Sequence, residues 1–318
     1  MKKSILVLAV AVVAILSAYS CTQINAPNSP LPSTPTFTPS ATPTIPCLAD
    51  AVIPDAALAA ALRAALGKPS GADICEEELG AIMTLSLTGV HDFTGLELCT
   101  GLKTLAISGG SRVVTHTVKS LVNLETLSFY QLNLQDGDLS DIGVLTKLKL
   151  LQIRYASITS LAPFSSLADL EELNVEYCNI NSVAPLSAMT QLRRLSIYSN
   201  AVTDISPLSG MTGLWFLNIG ANPITDISSL FMMTNLRDFI MANCNVSDIS
   251  ALEEMISLSS LYANANQIAD IGALTRNAVA GGLGSGSTVN LQNNPLNTTP
   301  DRDTHIPFLQ SRGVNVVY

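Results

Sequence analysis

From about residue 83 onward, short runs in which every second residue is apolar alternate with longer polar stretches that carry single apolar positions. The stretch from Gln191 to Met211 shows the unit most clearly. Leu192, Leu195 and Ile197 lie close together, and Val202, Ile205, Leu208 and Met211 then return at wider intervals. Period-two alternation predicts a short strand, and the Asn-containing polar step after it predicts a turn and a tight segment folding back. A single unit of this kind has no second apolar face and needs neighbours to bury the first. With Leu195 as reference, the equivalent positions are Leu85, Leu105, Leu127, Leu151, Leu173, Leu195, Leu217, Phe239, Leu261 and Val289. Six of the nine spacings are 22 residues, a period that predicts a stacked-repeat solenoid.

The columns of that stack each carry a physical role. After the strand comes a turn column holding Asn200, Asn222, Asn266 and Asn294, with Cys178 and Cys244 in the same place and Leu132 and Ala156 interrupting it. A buried Asn satisfies backbone groups of its own turn and the adjacent one, so a ladder is expected there. Asp204, Asp226, Asp248 and Asp270 form a second column that Ser160 and Ser182 continue upstream. Ser and Asp share the ability to cap a turn but not to hold calcium well, so capping is the expected role. Met189, Met211, Met233 and Met255 continue Leu167 as core filling.

The motif Asn-x-Ile-x-Asp-Ile-x-Pro-Leu, present as Asn200-Ala-Val-Thr-Asp-Ile-Ser-Pro-Leu208 and Asn222-Pro-Ile-Thr-Asp-Ile-Ser-Ser-Leu230, resembles the internalin-type leucine-rich repeat proteins of bacteria over about residues 50–318. The fold class expected is α/β leaning to β: a right-handed solenoid of about ten parallel concave strands with short 3-10 or turn segments on the convex side. Pro163, Pro185 and Pro207 leave little room for long convex helices. Residues 83–318 are assigned to the repeats, with Val314, Val316 and Tyr318 as a closing strand and a glycine-rich flexible loop from Thr275 to Thr288.

Residues 47–82 do not repeat and are expected to form a small helical cap, as in the family. Leu58, Leu62 and Leu66 fall on one helical face, Asp55 is placed to cap its start and Gly67 to stop it. Glu76, Glu77 and Glu78 suit the positive end of a second short helix. In an exported chain, Cys47 and Cys75 are expected to form a disulfide clamping the cap, with Cys99 able to compete for either partner.

Composition adds the location. Lys2 and Lys3 precede an apolar run from Ile5 to Leu16, so residues 1–20 read as an export signal. Two processing routes stay open. Ala18-Tyr19-Ser20 fits ordinary signal peptidase, whereas Cys21 resembles a bacterial lipoprotein box and would then be lipidated. Residues 21–46 read as a tether, since residues 22–46 contain seven Pro and no charged residue. As polyproline II these could reach at most about 75 Å. The lipid reading places the domain outward at the bacterial envelope, on the outer membrane if there are two. The net charge of −9 removes any electrostatic footprint for nucleic acid and favours a monomer.

The outward strand positions carry the candidate binding residues: Tyr130, Arg154, Tyr155, Glu172, Glu176, Tyr177, Arg194, Tyr198, Phe216 and Tyr262. Strands about 4.8 Å apart bring same-column residues into contact, so Arg154 is expected to meet Glu176 and Glu172 to meet Arg194, both as mostly exposed pairs. Tyr and Arg are common interface anchors. His91, His116 and His305 lie in different repeats without a nucleophile or carboxylate at motif spacing, and no nucleotide, zinc or hydrolase motif is present. No catalytic residue, metal or cofactor is expected. A recognition module binding a protein, with a glycan as second candidate, is weighed against a structural envelope protein without a ligand.

Overall fold

The structure, a computed structural model, describes residues 47, 49–110 and 118–318. The described residues form one compact unit by their own contacts. The export signal, Cys21, the whole tether and His116 lie outside the described residues. No helix among the described residues is long and apolar enough to cross a membrane.

Two helices come first, α1 (Ala56–Ala65) and α2 (Glu76–Leu79). Asp55 caps α1, one carboxylate oxygen accepting from Ala57 N and Leu58 N at 2.8 and 2.9 Å. The other oxygen accepts from His91 N and Asp92 N at 2.8 and 3.2 Å, which ties the helix to the loop after the first strand. Gly67, at φ +67°, follows the C-cap Leu66 and lets the chain leave α1 in the left-handed region. Cys47 and Cys75 are joined by a disulfide with Cα atoms 5.3 Å apart, and Cys99 is a free, fully buried thiol.

Eleven parallel strands follow in one sheet in chain order: β1 (Thr84–Thr88), β2 (Thr104–Ser108), β3 (Thr126–Tyr130), β4 (Leu150–Arg154), β5 (Glu172–Glu176), β6 (Arg194–Ser196), β7 (Phe216–Asn218), β8 (Asp238–Ile240), β9 (Ser260–Tyr262), β10 (Thr288–Asn290) and β11 (Asn315–Val317). Leu85, Leu105, Leu127, Leu151, Leu173, Leu195, Leu217, Phe239, Leu261 and Val289 pair in unbroken register. Ten strands thus arise from the repeat, and β11 is the closing one. In the longer strands the second and fourth residues are buried and the others face outward. Three-residue 3-10 turns form the far wall, with Pro163, Pro185 and Pro207 in their first two positions.

The Asn column is a hydrogen-bonded ladder. Asn222 Oδ1 accepts from Val202 N at 3.0 Å, while its Nδ2 donates to Ile197 O and Ile219 O at 2.9 Å each. Asn200, Asn266 and Asn294 repeat the pattern one turn at a time. Each Asp of the second column accepts from the backbone N–H two residues on: Ser206, Ser228, Ser250 and Gly272. Ser160 and Ser182 do the same toward Ala162 and Ala184. The Met column is buried at 0–2 % exposure.

The glycine-rich insertion is not a plain loop. Its first part lies in a third helix, α3 (Gly272–Val279), and Asn277 within it is fully buried. Asn277 Nδ2 donates to Leu252 O and Met255 O, and its Oδ1 accepts from Leu283 N, so one side chain fastens the insertion to the preceding repeat. A fourth helix, α4 (Ile306–Ser311), packs Ile306 and Leu309 into the core before β11 and has no counterpart in the repeat pattern.

Candidate functional site

The outward positions of β3 to β7 build the candidate site from two lips and a floor. At the C-terminal ends of the strands Tyr130, Tyr155, Tyr177 and Tyr198 form a continuous aromatic ladder. Tyr155 and Tyr177 are stacked, with centroids 4.5 Å apart and planes at 9°. Tyr130 meets Tyr155, and Tyr198 meets Tyr177, edge to face at 5.3 Å. Tyr130, Tyr155 and Tyr177 are each 40–41 % exposed. Tyr198 can lie down over the next repeat because residue 220 is Gly: a Cβ there would stand 3.2 Å from the Tyr198 ring and 3.0 Å from Ala242 O.

At the N-terminal ends, Arg194 places its guanidinium 4.6 Å from the Trp215 ring and 4.4 Å from the Phe216 ring, and pairs with Glu172 at 3.3 Å. Trp215 was not among the residues singled out from the pattern. It sits one residue before its strand, in the column of Lys103, Glu125, Lys149, Glu171 and Arg193, and reading that column would have found it.

Arg154 and Glu176 are paired as the register demands, but the expectation of an exposed pair fails for Glu176, which is only 7 % exposed. The neighbouring strand covers it: Ser196 Oγ donates to its second carboxylate oxygen at 2.6 Å, so the carboxylate is held from both sides. The two buried side-chain polar atoms without a hydrogen-bond partner among the described residues, Arg154 Nε and Asn174 Oδ1, belong to outward positions of adjacent strands here. Tyr262 lies on the same sheet face but in β9, with no aromatic ring against it among the described residues, and is not brought together with the rest. Burial first, then the Tyr177 and Tyr130 hydroxyls, hold the Tyr155 phenol above its usual pKa, with Arg154 opposing.

Elsewhere the chemistry is structural. Burial pushes the Cys99 and Cys178 thiols up to about 12 and about 11, and Cys244 upward as well, which removes them as nucleophiles near neutrality. Asp270, Asp301 and His305 come within 4.8 Å of one another. Asp270 and Asp301 accept from Gly272 N and Ile271 N, and His305 Nδ1 is bonded to Thr275 Oγ1, so each already has a local structural task. Cys47, Asp50 and Cys75 also converge, but both sulfurs are used in the disulfide. A cleft lined by Ser247, Asp248, Ser250, Asp270, Ala273 and Arg276 belongs to the turns, away from the concave strands.

A stack of parallel strands in unbroken register, an Asn ladder and 3-10 turns define a leucine-rich repeat solenoid. A family model described as leucine-rich repeats in two copies matches residues 190–231. The structure is similar to that of an internalin (inlF) of Listeria monocytogenes, at 23 % identity and TM-score 0.59, covering 85 % of this chain and 97 % of that one. A leucine-rich repeat protein of Leptospira interrogans matches at 18 % identity and TM-score 0.66, covering 76 % and 62 %. The functional domain of InlJ from Listeria monocytogenes, whose structure includes a cysteine ladder, matches at 20 % and 0.57, covering 76 % and 56 %. No curated protein matches. The chain has a leucine-rich repeat fold, similar to that of these internalin structures.

Proposed function

We propose that this protein is a recognition module that binds a protein partner through the concave face, displayed at the bacterial cell surface on a lipid-anchored stalk. The observation that carries this reading is the pairing of the exposed tyrosine ladder with the Arg194–Trp215–Phe216 cluster across one polar floor. The floor consists of Ser128, Gln152, Asn174, Ser196 and Asn218. Tyr, Ser, Asn and Arg in this mixture are what evolved paratopes use, because Tyr offers large rigid contact area at low entropic cost. The charges of the patch are paired with one another, Arg154 with Glu176 and Arg194 with Glu172, so the face suits a partner surface of little net charge. An open sheet has no deep pocket, which disfavours a small molecule. A glycan remains the second ligand class.

The test compares residues 47–318 with the Tyr177→Ala/Tyr198→Ala variant in capture from envelope and secreted proteins. A partner should be recovered by the former and bind the folded variant at least about 2 kcal/mol more weakly. Equal binding would move the site off this face. Absence of any partner would favour the structural envelope reading. Anchoring is tested separately: Cys21→Ser should release the protein from membranes, and unchanged fractionation would refute the lipid.

A further inference from the structure

We propose that Tyr155 and Tyr177 form a site of oxidative coupling, joined ring to ring as a dityrosine by a peroxide-driven one-electron oxidant. Both residues follow the ends of paired strands, β4 and β5, and both have backbone φ in the left-handed region, +58° and +53°. Their side chains therefore leave the sheet in the same direction. The backbone fixes the register, Tyr155 N donating to Glu176 O at 3.1 Å and Tyr177 N to Tyr198 O at 3.0 Å. The rings are 4.5 Å apart and 9° from parallel, and each is 41 % exposed. Leaving equivalent backbone positions with stacked rings, the two side chains point their hydroxyl ends the same way. Parallel rings with hydroxyls on the same side bring the ortho carbons of one beside those of the other. Those carbons carry much of the unpaired spin in a phenoxyl radical.

The chemistry balances as follows. The oxidant removes one hydrogen atom, an electron and the phenolic proton, from each tyrosine. The two radicals join through their ortho carbons, which takes a swing of the half-exposed rings about their side-chain bonds. Each coupled carbon then loses its hydrogen as a proton while a proton returns to each oxygen, and both phenols are restored. Two phenols and one hydrogen peroxide give one biaryl and two waters. The other ring contacts serve as internal comparisons. Tyr130–Tyr155 and Tyr177–Tyr198 are at 81° and 71°, so the edge of one ring faces the plane of the other and the ortho carbons are not aligned. Tyr262 is 40 % exposed but has no ring against it among the described residues, so its coupling is expected between molecules. The product would staple β4 to β5 at the centre of the concave face.

The experiment treats dilute purified protein with a haem peroxidase and limiting hydrogen peroxide. The expected result is dityrosine fluorescence in protein that stays monomeric on a denaturing gel. Its mass is lower by two hydrogens, with a cross-linked peptide pair containing Tyr155 and Tyr177. Tyr155→Phe and Tyr177→Phe keep the ring and the fold but each should abolish the product. Tyr130→Phe, Tyr198→Phe and Tyr262→Phe should retain it. Absence of the product while free tyrosine couples under the same conditions would overturn the proposal. So would coupling found only between molecules, or an unchanged yield in Tyr155→Phe.

Discussion

Asn222→Ala tests whether the ladder holds the solenoid together. Asn222 is 2 % exposed and makes its bonds where water cannot replace them. Its Oδ1 accepts from Val202 N at 3.0 Å. Its Nδ2 serves three carbonyls, and their losses are unequal. Ile197 O keeps Asn200 Nδ2 at 2.9 Å, Gly220 O keeps Ser199 N at 2.9 Å, and Ile219 O falls back on the Cys244 thiol at 3.5 Å. One orphaned buried N–H costs about 1–3 kcal/mol, and a weakened carbonyl bond adds about 1. The expected loss is about 3 kcal/mol, or about 6–12 °C in melting temperature for a domain of this size. Urea unfolding followed by far-ultraviolet circular dichroism measures it. Asn222→Cys should fall between wild type and Ala, because the thiols of Cys178 and Cys244 already reach Glu176 O and Ile219 O from the same column at 3.3 and 3.5 Å. A loss under about 1 kcal/mol for Asn222→Ala would mean that the backbone ladder, not the Asn column, carries the stack.

Glu176→Ala should cost about 2 kcal/mol by stripping Arg154 and Ser196 of their shared partner, while Glu172→Ala, in the more exposed pair, should cost under about 1; equal urea midpoints would refute the distinction. Hydrogen bonds from His91 N first, then from Leu58, Asp92 and Ala57, lower the Asp55 pKa to about 2. Its contribution is therefore present above the ordinary carboxylate value and lost as pH falls toward 2. Asp55→Asn keeps the helix-cap oxygen but not the charged clamp, so its melting temperature should fall less steeply over that range; parallel acid curves would contradict this. Reducing the Cys47–Cys75 bridge should destabilise by about 3 kcal/mol, as expected for its 28-residue separation. Thiol labelling should leave Cys99, Cys178 and Cys244 unreacted until the chain unfolds, and rapid labelling of the native protein would contradict their burial.

What was legible from the residues is what repetition enforces. A side chain that recurs every 22 residues must stack on its equivalents, so Leu195 and its partners, the Asn ladder and the Asp caps could be placed without coordinates. The lips of the site were legible only as columns. That Glu172 meets Arg194 follows from register, but that Arg194 lies between Trp215 and Phe216 depends on rotamers, which periodicity does not specify. The burial of Glu176 depends on Ser196, a neighbour whose hydroxyl has no signature in a hydropathy pattern. The end of the stack was least legible, because α3 and α4 occur once and have no equivalents to be read against.

The residue after the strand supplies the last argument. The repeat holds Gln131, Tyr155, Tyr177, Ser199, Ala221, Asn243, Ala265 and Asn293 at φ between +53° and +59°. Asn adopts this conformation readily, whereas a bulky L-residue there costs about 1–2 kcal/mol. Stacking returns about 0.5–1.5 kcal/mol for the Tyr155–Tyr177 pair, so the two tyrosines add little to the stability of the solenoid. The positions on either side of the pair, Gln131 and Ser199, carry no aromatic ring and make the same turn. A spacer gains nothing from such residues, whereas a recognition surface gains exposed aromatic area. The double variant Tyr155→Asn/Tyr177→Asn should therefore unfold within about 1 kcal/mol of the parent, since relief of backbone strain offsets the lost stack. Urea unfolding of both proteins is the measurement. A loss above about 3 kcal/mol would make the ladder a structural element and withdraw this support from the recognition reading.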